Sequence, residues 1–245
     1  MENLKKGYFV NSRKMMYNVC MIHPWEQEYR NPTFITMGTE PISDMRDFMK
    51  WLRRKQKVDT TDFVVFDAGC GNGKNVKYAV EHFCASGIGY DISKTAIDHA
   101  KGLRDGFPID YHARSIGEPF ELPDDSVDLI IDATSSHALN AHERSVYVSE
   151  VSRILKSGGY YFLRTLALDG DANAKNLIKQ FPGTDPNSYI LPGTGMTERV
   201  FTKDDIERDF GTDFEILFIK KTNGYQKWGS QSYKRNYWVV YLQKR

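Results

Sequence analysis

Phe66 to Gly73 read FDAGCGNG, three glycines at alternate positions directly after a hydrophobic run that ends in an aspartate. Glycine is among the poorest residues for the interior of a strand or helix. Three within five positions therefore require either a backbone that other residues resist or a close approach to a ligand. The preceding FVVFD has the character of a buried strand, and KNVKYAVEHF after the loop has that of a helix. Strand, glycine turn and helix open a parallel α/β unit, where ligands sit beyond the carboxyl ends of the strands. The glycines are therefore expected to line a ligand crevice.

The rest of the chain repeats this alternation. SGIGYD, VDLIIDA and GGYYFLRTL read as further strands, separated by the helical stretches SKTAIDHAKGL, with Ser93 as its cap, and HERSVYVSEVSRIL. Upstream, Ser43 is expected to cap a helix in SDMRDFMKWLRRK, where Met45, Phe48, Met49 and Leu52 share one face. Near the end, FEILFIKK and YWVVYLQK read as two strands joined by a polar loop. The pattern predicts a doubly wound α/β sheet, mostly parallel, closed by a terminal antiparallel β pair.

The 245 residues suit one sizeable domain. A net charge of +1 gives no overall field that would draw the chain to nucleic acid or an acidic membrane. The three cysteines, Cys20, Cys70 and Cys84, have no metal-ligand spacing and suit a reducing compartment. No apolar run approaches the ~20 residues of a membrane span, and the amino-terminal stretch lacks the apolar core of a secretion signal. A cytoplasmic location and no membrane partner are expected; oligomeric state is not legible.

The ligand follows from the acids. A dinucleotide fingerprint places its third glycine at the position of Lys74, but the loop here runs Gly69, Gly71, Gly73. Asp67, directly before the loop, would repel a pyrophosphate and suits an ammonium group. Asp91, at the end of the next strand, is placed to accept hydrogen bonds from ribose hydroxyls. A nucleoside joined to an amino acid meets both demands, and S-adenosylmethionine is such a molecule.

With these residues the chain resembles the class I S-adenosylmethionine-dependent methyltransferases over about Asp62 to Leu168. Asp67 to Gly73 match the family's first motif, and Asp91 in GYDIS matches its ribose acid. Pro123 to Ile131 match the approach to the fourth strand. Leu155 to Leu163 match the turn into the fifth, with Ser157 where a proline is usual. The resemblance implies a Rossmann-like sheet of seven strands in a single domain spanning the chain. It implies a cofactor site of Asp67, Gly69, Gly71, Gly73, Asp91 and Ile92, with Asp132 beside the donor methyl. Many relatives carry an acid near Ser115 and Ile116 for the adenine amino group. None stands here, so Ser115, backbone groups and the apolar Ile92 and Ile116 are expected to hold the adenine.

Methyl transfer chiefly requires alignment of nucleophile and methyl carbon, and a base only where the acceptor must lose a proton. The resemblance places His137 just beyond Asp132, which makes it the candidate base; the alternative is that it caps or packs the next helix. His23, His82, His99, His112 and His142 read as structural or exposed. Residues 1–42, with Tyr8, Phe9, Tyr17, Trp25, Tyr29 and Phe34, are expected to form a lid. Within it, Trp25 and Tyr29 either touch cofactor or acceptor or only anchor the segment. Residues 169–200 read as an acceptor-side insertion, or else a solvated connector. From Ile216 onward there are seven Lys or Arg and no acid, interleaved with aromatics, as in nucleic-acid binders. A small-molecule acceptor is the expectation. A nucleic-acid or protein acceptor, or a non-catalytic cofactor-binding role, are the alternatives.

Overall fold

A computed structural model describes residues 22–33, 35, 37–228 and 231–245. Tyr8, Phe9, Tyr17, Cys20 and Phe34 lie outside the described residues. Among these residues the element order opens with α1 (Pro24–Arg30) and α2 (Ser43–Arg54). Then come β1 (Val64–Ala68), α3 (Lys74–His82), β2 (Ser86–Asp91), α4 (Lys94–Gly102), β3 (Ile109–Ala113) and β4 (Val127–Ala133). α5 (Ala141–Ile154) and β5 (Leu155–Leu166) follow, then α6 (Ala172–Gln180), β6 (Ser188–Ile190) and β7 (Thr197–Arg199). α7 (Lys203–Phe210), β8 (Phe214–Trp228) and β9 (Gln231–Lys244) complete the order.

Seven strands form one sheet in the order β3-β2-β1-β4-β5-β9-β8. The first five are parallel, and β9 and β8 close it antiparallel. The doubly wound sheet and its terminal antiparallel pair are as the sequence pattern predicts. Alternation along the strands feeds two cores. Phe66, Ile130, Tyr161 and Val240 point to a layer shared with Tyr147, Val151 and Phe210. Their neighbours Val65, Leu129, Ile131, Phe162 and Val239 point to the other, beneath α2, α3 and α4. On α2, Met45, Phe48, Met49 and Leu52 are fully buried, each worth about 1.5–3 kcal/mol relative to exposure.

Four details depart from the sequence reading. Ser43 is the first residue of α2 rather than its cap; Ile42 occupies the cap position with no side-chain bond. Ser93 does cap α4, its Oγ accepting the Ala96 N–H at 3.1 Å. β3 was not legible, because IDYHA is short and only Ile109 and Tyr111 are buried along it. The polar loop before YWVVYLQK is strand. Pairing runs from Thr222↔Tyr237 to Trp228↔Gln231, so the hairpin continues far beyond the apolar segments. Lastly, residues 169–200 hold a helix and a separate two-stranded sheet, β6 with β7.

Candidate active site

A crevice opens at the carboxyl ends of β1, β2 and β4, and it has two connected parts. One is lined by His23, Asp91, Ile92, Ser115, Ile116 and Leu139. The other is lined by Asn72, Lys74, His137, Arg164, Glu198 and Tyr225, among others. Trp25, Tyr29, Gly69 and Thr134 belong to both. The sequence-derived residues Trp25, Tyr29, Gly69, Gly71, Asp91, Ile92, Ser115, Ile116 and His137 therefore meet at one crevice.

The glycine loop has a partly internal cause. Gly69 and Gly71 adopt φ of +69° and +56°, a region that side-chain-bearing residues resist. A Cβ on Gly69 would collide with Ser135, and one on Gly71 with the Tyr29 hydroxyl. Gly73 abuts the Tyr111 ring and sits at the start of α3. All three glycines thus admit protein neighbours, and only Gly69 and Gly71 also line the crevice.

Asp91 is 8% exposed. Its Oδ2 accepts the Gly71 N–H at 2.9 Å and its Oδ1 the Ser93 N–H at 2.8 Å. Each oxygen keeps a lone pair for a further donor, which fits a pair of ribose hydroxyls. Burial, against those two bonds and with Glu26 nearby, raises its carboxyl to about 6. Ile92 and Ile116 offer apolar surface beside it, and the Ser115 Oγ accepts the Gly117 N–H at 3.1 Å.

Two acids expected at the ligand stand elsewhere. Asp67 is fully buried and lines neither part of the crevice. Its Oδ2 accepts the Val76 N–H at 3.2 Å, while Oδ1 has no hydrogen-bond partner among the described residues. Burial, against the Val76 bond and with Asp132 and Asp91 adding, raises its carboxyl to about 8. Direct contact with a ligand ammonium is thus not available to it. Asp132 is likewise fully buried. Its Oδ1 accepts from the Ser135 N–H and hydroxyl at 3.0 and 2.8 Å, and Oδ2 from Tyr147 and Tyr161 at 3.1 and 3.4 Å. It anchors the loop that carries His137 instead of facing the crevice.

That loop begins under strain. Thr134 is β-branched yet has φ +69°. It is held there by its N–H to the Arg164 carbonyl at 2.8 Å and by the Arg164 guanidinium on its hydroxyl at 2.8 Å. His137, 2% exposed, follows. Its Nε2 lies 3.7 Å from Glu198 Oε1 on β7, an ion-pair contact longer than a hydrogen bond. Its Nδ1 is buried with no hydrogen-bond partner among the described residues. Glu198 also accepts from the Tyr189 hydroxyl and lies 3.6 Å from Arg235 Nη1. Burial alone would raise the Glu198 carboxyl; His137, Arg235 and Tyr189 outweigh it and hold it at about 2.

The described part of residues 1–42 reaches the crevice through α1. Glu26 accepts from the Ser93 hydroxyl at 2.7 Å and from the Thr95 N–H and hydroxyl at 3.1 and 2.8 Å. Burial would raise this carboxyl, but those bonds and Arg30 bring it to about 2. Glu28, 4% exposed, accepts from the Thr33 and Ile35 N–H groups. Sequence reasoning missed Glu26, Arg164 and Glu198, which carry no local motif, and gave no role to Lys74 beside the glycine loop; His23, read as structural or exposed, joins the crevice wall. Cys70 also lines the crevice; burial, with Asp67 and Asp91, pushes its thiol well up and makes it a poor nucleophile. Among the described residues no cluster suits a metal, and no helix is long and apolar enough to cross a membrane.

Residues 65–159 match the profile of a family described as Methyltransferase domain. A solved S-adenosylmethionine-dependent methyltransferase from Methanosarcina mazei superposes with a TM-score of 0.66. It is 22% identical, with 84% of this chain and 98% of that chain covered. Another, from Anabaena variabilis, gives 0.64 at 20% identity, covering 91% and 94%. Both likenesses show the fold. A curated fatty-acid O-methyltransferase from Mycolicibacterium smegmatis is 26% identical over 98 residues, 40% of this chain and 35% of that protein. A tRNA U34 carboxymethyltransferase from Shewanella denitrificans is 25% identical over 171 residues, 68% of this chain and 51% of that protein. The chain thus spans about a third to a half of the length of these curated relatives.

Proposed function

For a chain whose residues 65–159 match the methyltransferase-domain family, we propose S-adenosylmethionine-dependent methyl transfer to a small-molecule acceptor, with His137 as general base. When bound, the cofactor supplies a methyl group already activated on a positively charged sulfur. The chain's part is to hold the nucleoside at Asp91, Ile92, Ser115 and Ile116 and to bring the acceptor to the connected part beside His137. Trp25 and Tyr29 wall both parts, which favours alignment of the two reactants out of water.

The observation that carries the acceptor class is what happens to the basic carboxyl-terminal stretch. Arg235 is 2% exposed and paired internally. Lys221 donates to the Asp169 carbonyl, Lys244 pairs with Asp125, and Lys220 lies 3.7 Å from Asp44. Four of the seven cations thus have partners within the fold, Arg235 in the interior, which reduces the charge the stretch offers to a phosphate backbone. One feature favours a nucleic-acid acceptor: Tyr225 is 73% exposed at the crevice, where a base could stack.

Methyl-labelled S-adenosylmethionine incubated with the protein and fractionated extract, with and without nuclease, tests this reading. Label in a nuclease-insensitive small-molecule fraction is the expected outcome. Label confined to nuclease-sensitive material would replace it with the nucleic-acid reading.

A further inference from the structure

Five side chains from four distant segments close a buried polar chain behind His137. Asp171 caps α6 and accepts the Asn236 N–H at 2.9 Å. Arg235 Nε lies 3.5 Å from its Oδ2. The same guanidinium donates to the Tyr189 hydroxyl at 2.6 Å and faces Glu198, and Tyr189 donates to Glu198. Glu198 faces His137 Nε2. Asp171, Glu198, Arg235 and His137 are all buried.

Buried charge is costly unless compensated. Two carboxylates and one guanidinium sum to one negative charge. A proton on His137 would bring the set to neutrality. In the resting state, the carboxylate facing Nε2 favours a proton on that nitrogen, which leaves the Nδ1 lone pair free. Nδ1 is the atom with no partner, on a side chain that lines the crevice.

We infer that Glu198 is a positioning residue for His137: it fixes the Nε2–H tautomer, presents Nδ1 as the proton acceptor and balances the imidazolium that forms. This rests on His137 acting as the base. In the step, an O–H or N–H bond of the acceptor breaks and its proton passes to Nδ1. The freed electron pair bonds the methyl carbon, and the carbon–sulfur pair stays on sulfur. His137 ends with protons on both nitrogens, opposite Glu198. Residues 169–200 thereby serve the chemistry itself, since Asp171, Tyr189 and Glu198 all come from that stretch.

Long-range 1H–15N spectra of the full chain with labelled histidine read the tautomer without cofactor or acceptor. Neutral His137 is expected to carry its proton on Nε2. Glu198→Ala is expected to abolish that preference, and Glu198→Gln, which keeps an acceptor oxygen, to retain it. A wild-type spectrum with Nδ1 protonated overturns the positioning role even if His137 proves to be the base, and it decides the matter where Glu198→Ala does not fold. A preference that survives Glu198→Ala also overturns it. Turnover on the acceptor isolated by the labelled screen separates the two ideas. Full turnover in His137→Ala overturns the base reading and the catalytic role of Glu198 with it. Losses that fail to add in the His137→Ala/Glu198→Ala double variant support both.

Discussion

At the Asp91 end of the crevice, the carboxylate is held by backbone groups that adjacent strand ends bring together. Gly71 and Ser93 supply the N–H groups that orient the Asp91 carboxylate, all at the ends of adjacent strands β1 and β2. At the His137 end, the pairing partners come from β6, β7, β9 and the cap of α6, all far along the chain from His137. The first end is held mainly by backbone donors, whose positions follow from strand and turn geometry. The second is held by side-chain charges that exist as a site only after residues 169–200 dock on the sheet. A change at the first should act on cofactor affinity, and a change at the second on the chemical step.

The largest effect separates the two ends outright. His137→Ala is expected to lower turnover about 10²-fold or more, with S-adenosylhomocysteine affinity by calorimetry unchanged. A comparable loss of affinity would show that the ends are not separable. Next, Asp91→Ala should weaken S-adenosylhomocysteine binding by about 1.5–3 kcal/mol through loss of a charged acceptor. Because burial raises Asp91 to about 6, affinity in the wild type should fall as pH drops below about 6, where the protonated acid no longer accepts from both hydroxyls. Asp91→Asn should show no such limb.

Asp67 sharpens the comparison, since it supports the cofactor end from beneath without lining it. Its carboxyl stands at about 8 against an ordinary 3.8. Between those values the folded protein holds a proton that the unfolded chain has released. Stability should therefore fall as pH rises from about 4 to about 8, by up to ~1.4 kcal/mol per pH unit from this group. Denaturant titrations of Asp67→Asn across that range should show the slope reduced; an identical slope would mean that another group carries it. The smallest effect concerns α1, which joins the two ends through Trp25 and Tyr29. Glu26→Ala removes its bonds to Ser93 and Thr95 and should weaken S-adenosylhomocysteine binding roughly threefold to tenfold. No change would mean that α1 stays seated by its other contacts.

What the sequence determined by itself is the part of the protein governed by short-range rules. Alternate glycines after a strand announce a turn with positive φ. The spacing of Met45, Phe48, Met49 and Leu52 fixes which face of α2 is buried, and Trp238, Val240 and Leu242 against Val239 and Tyr241 mark β9 as buried on both sides. These follow because a strand repeats every two residues and a helix every 3.6 or so. The order of β3 and the full length of the β8–β9 hairpin were decided by pairing partners, since IDYHA and TNGYQKW carry little pattern of their own. The roles of the acids were also a tertiary decision. Asp67, Asp91 and Asp132 each stand at or one residue before a strand end, yet only Asp91 faces the crevice: Asp67 is fully buried with one oxygen on Val76, and Ser135 and the tyrosine pair hold Asp132. Glu198 and Arg235 read in sequence as one more acid and one more base. Only the tertiary fold brings Glu198 to His137 and Arg235 to Glu198, and burial there makes their charges depend on one another.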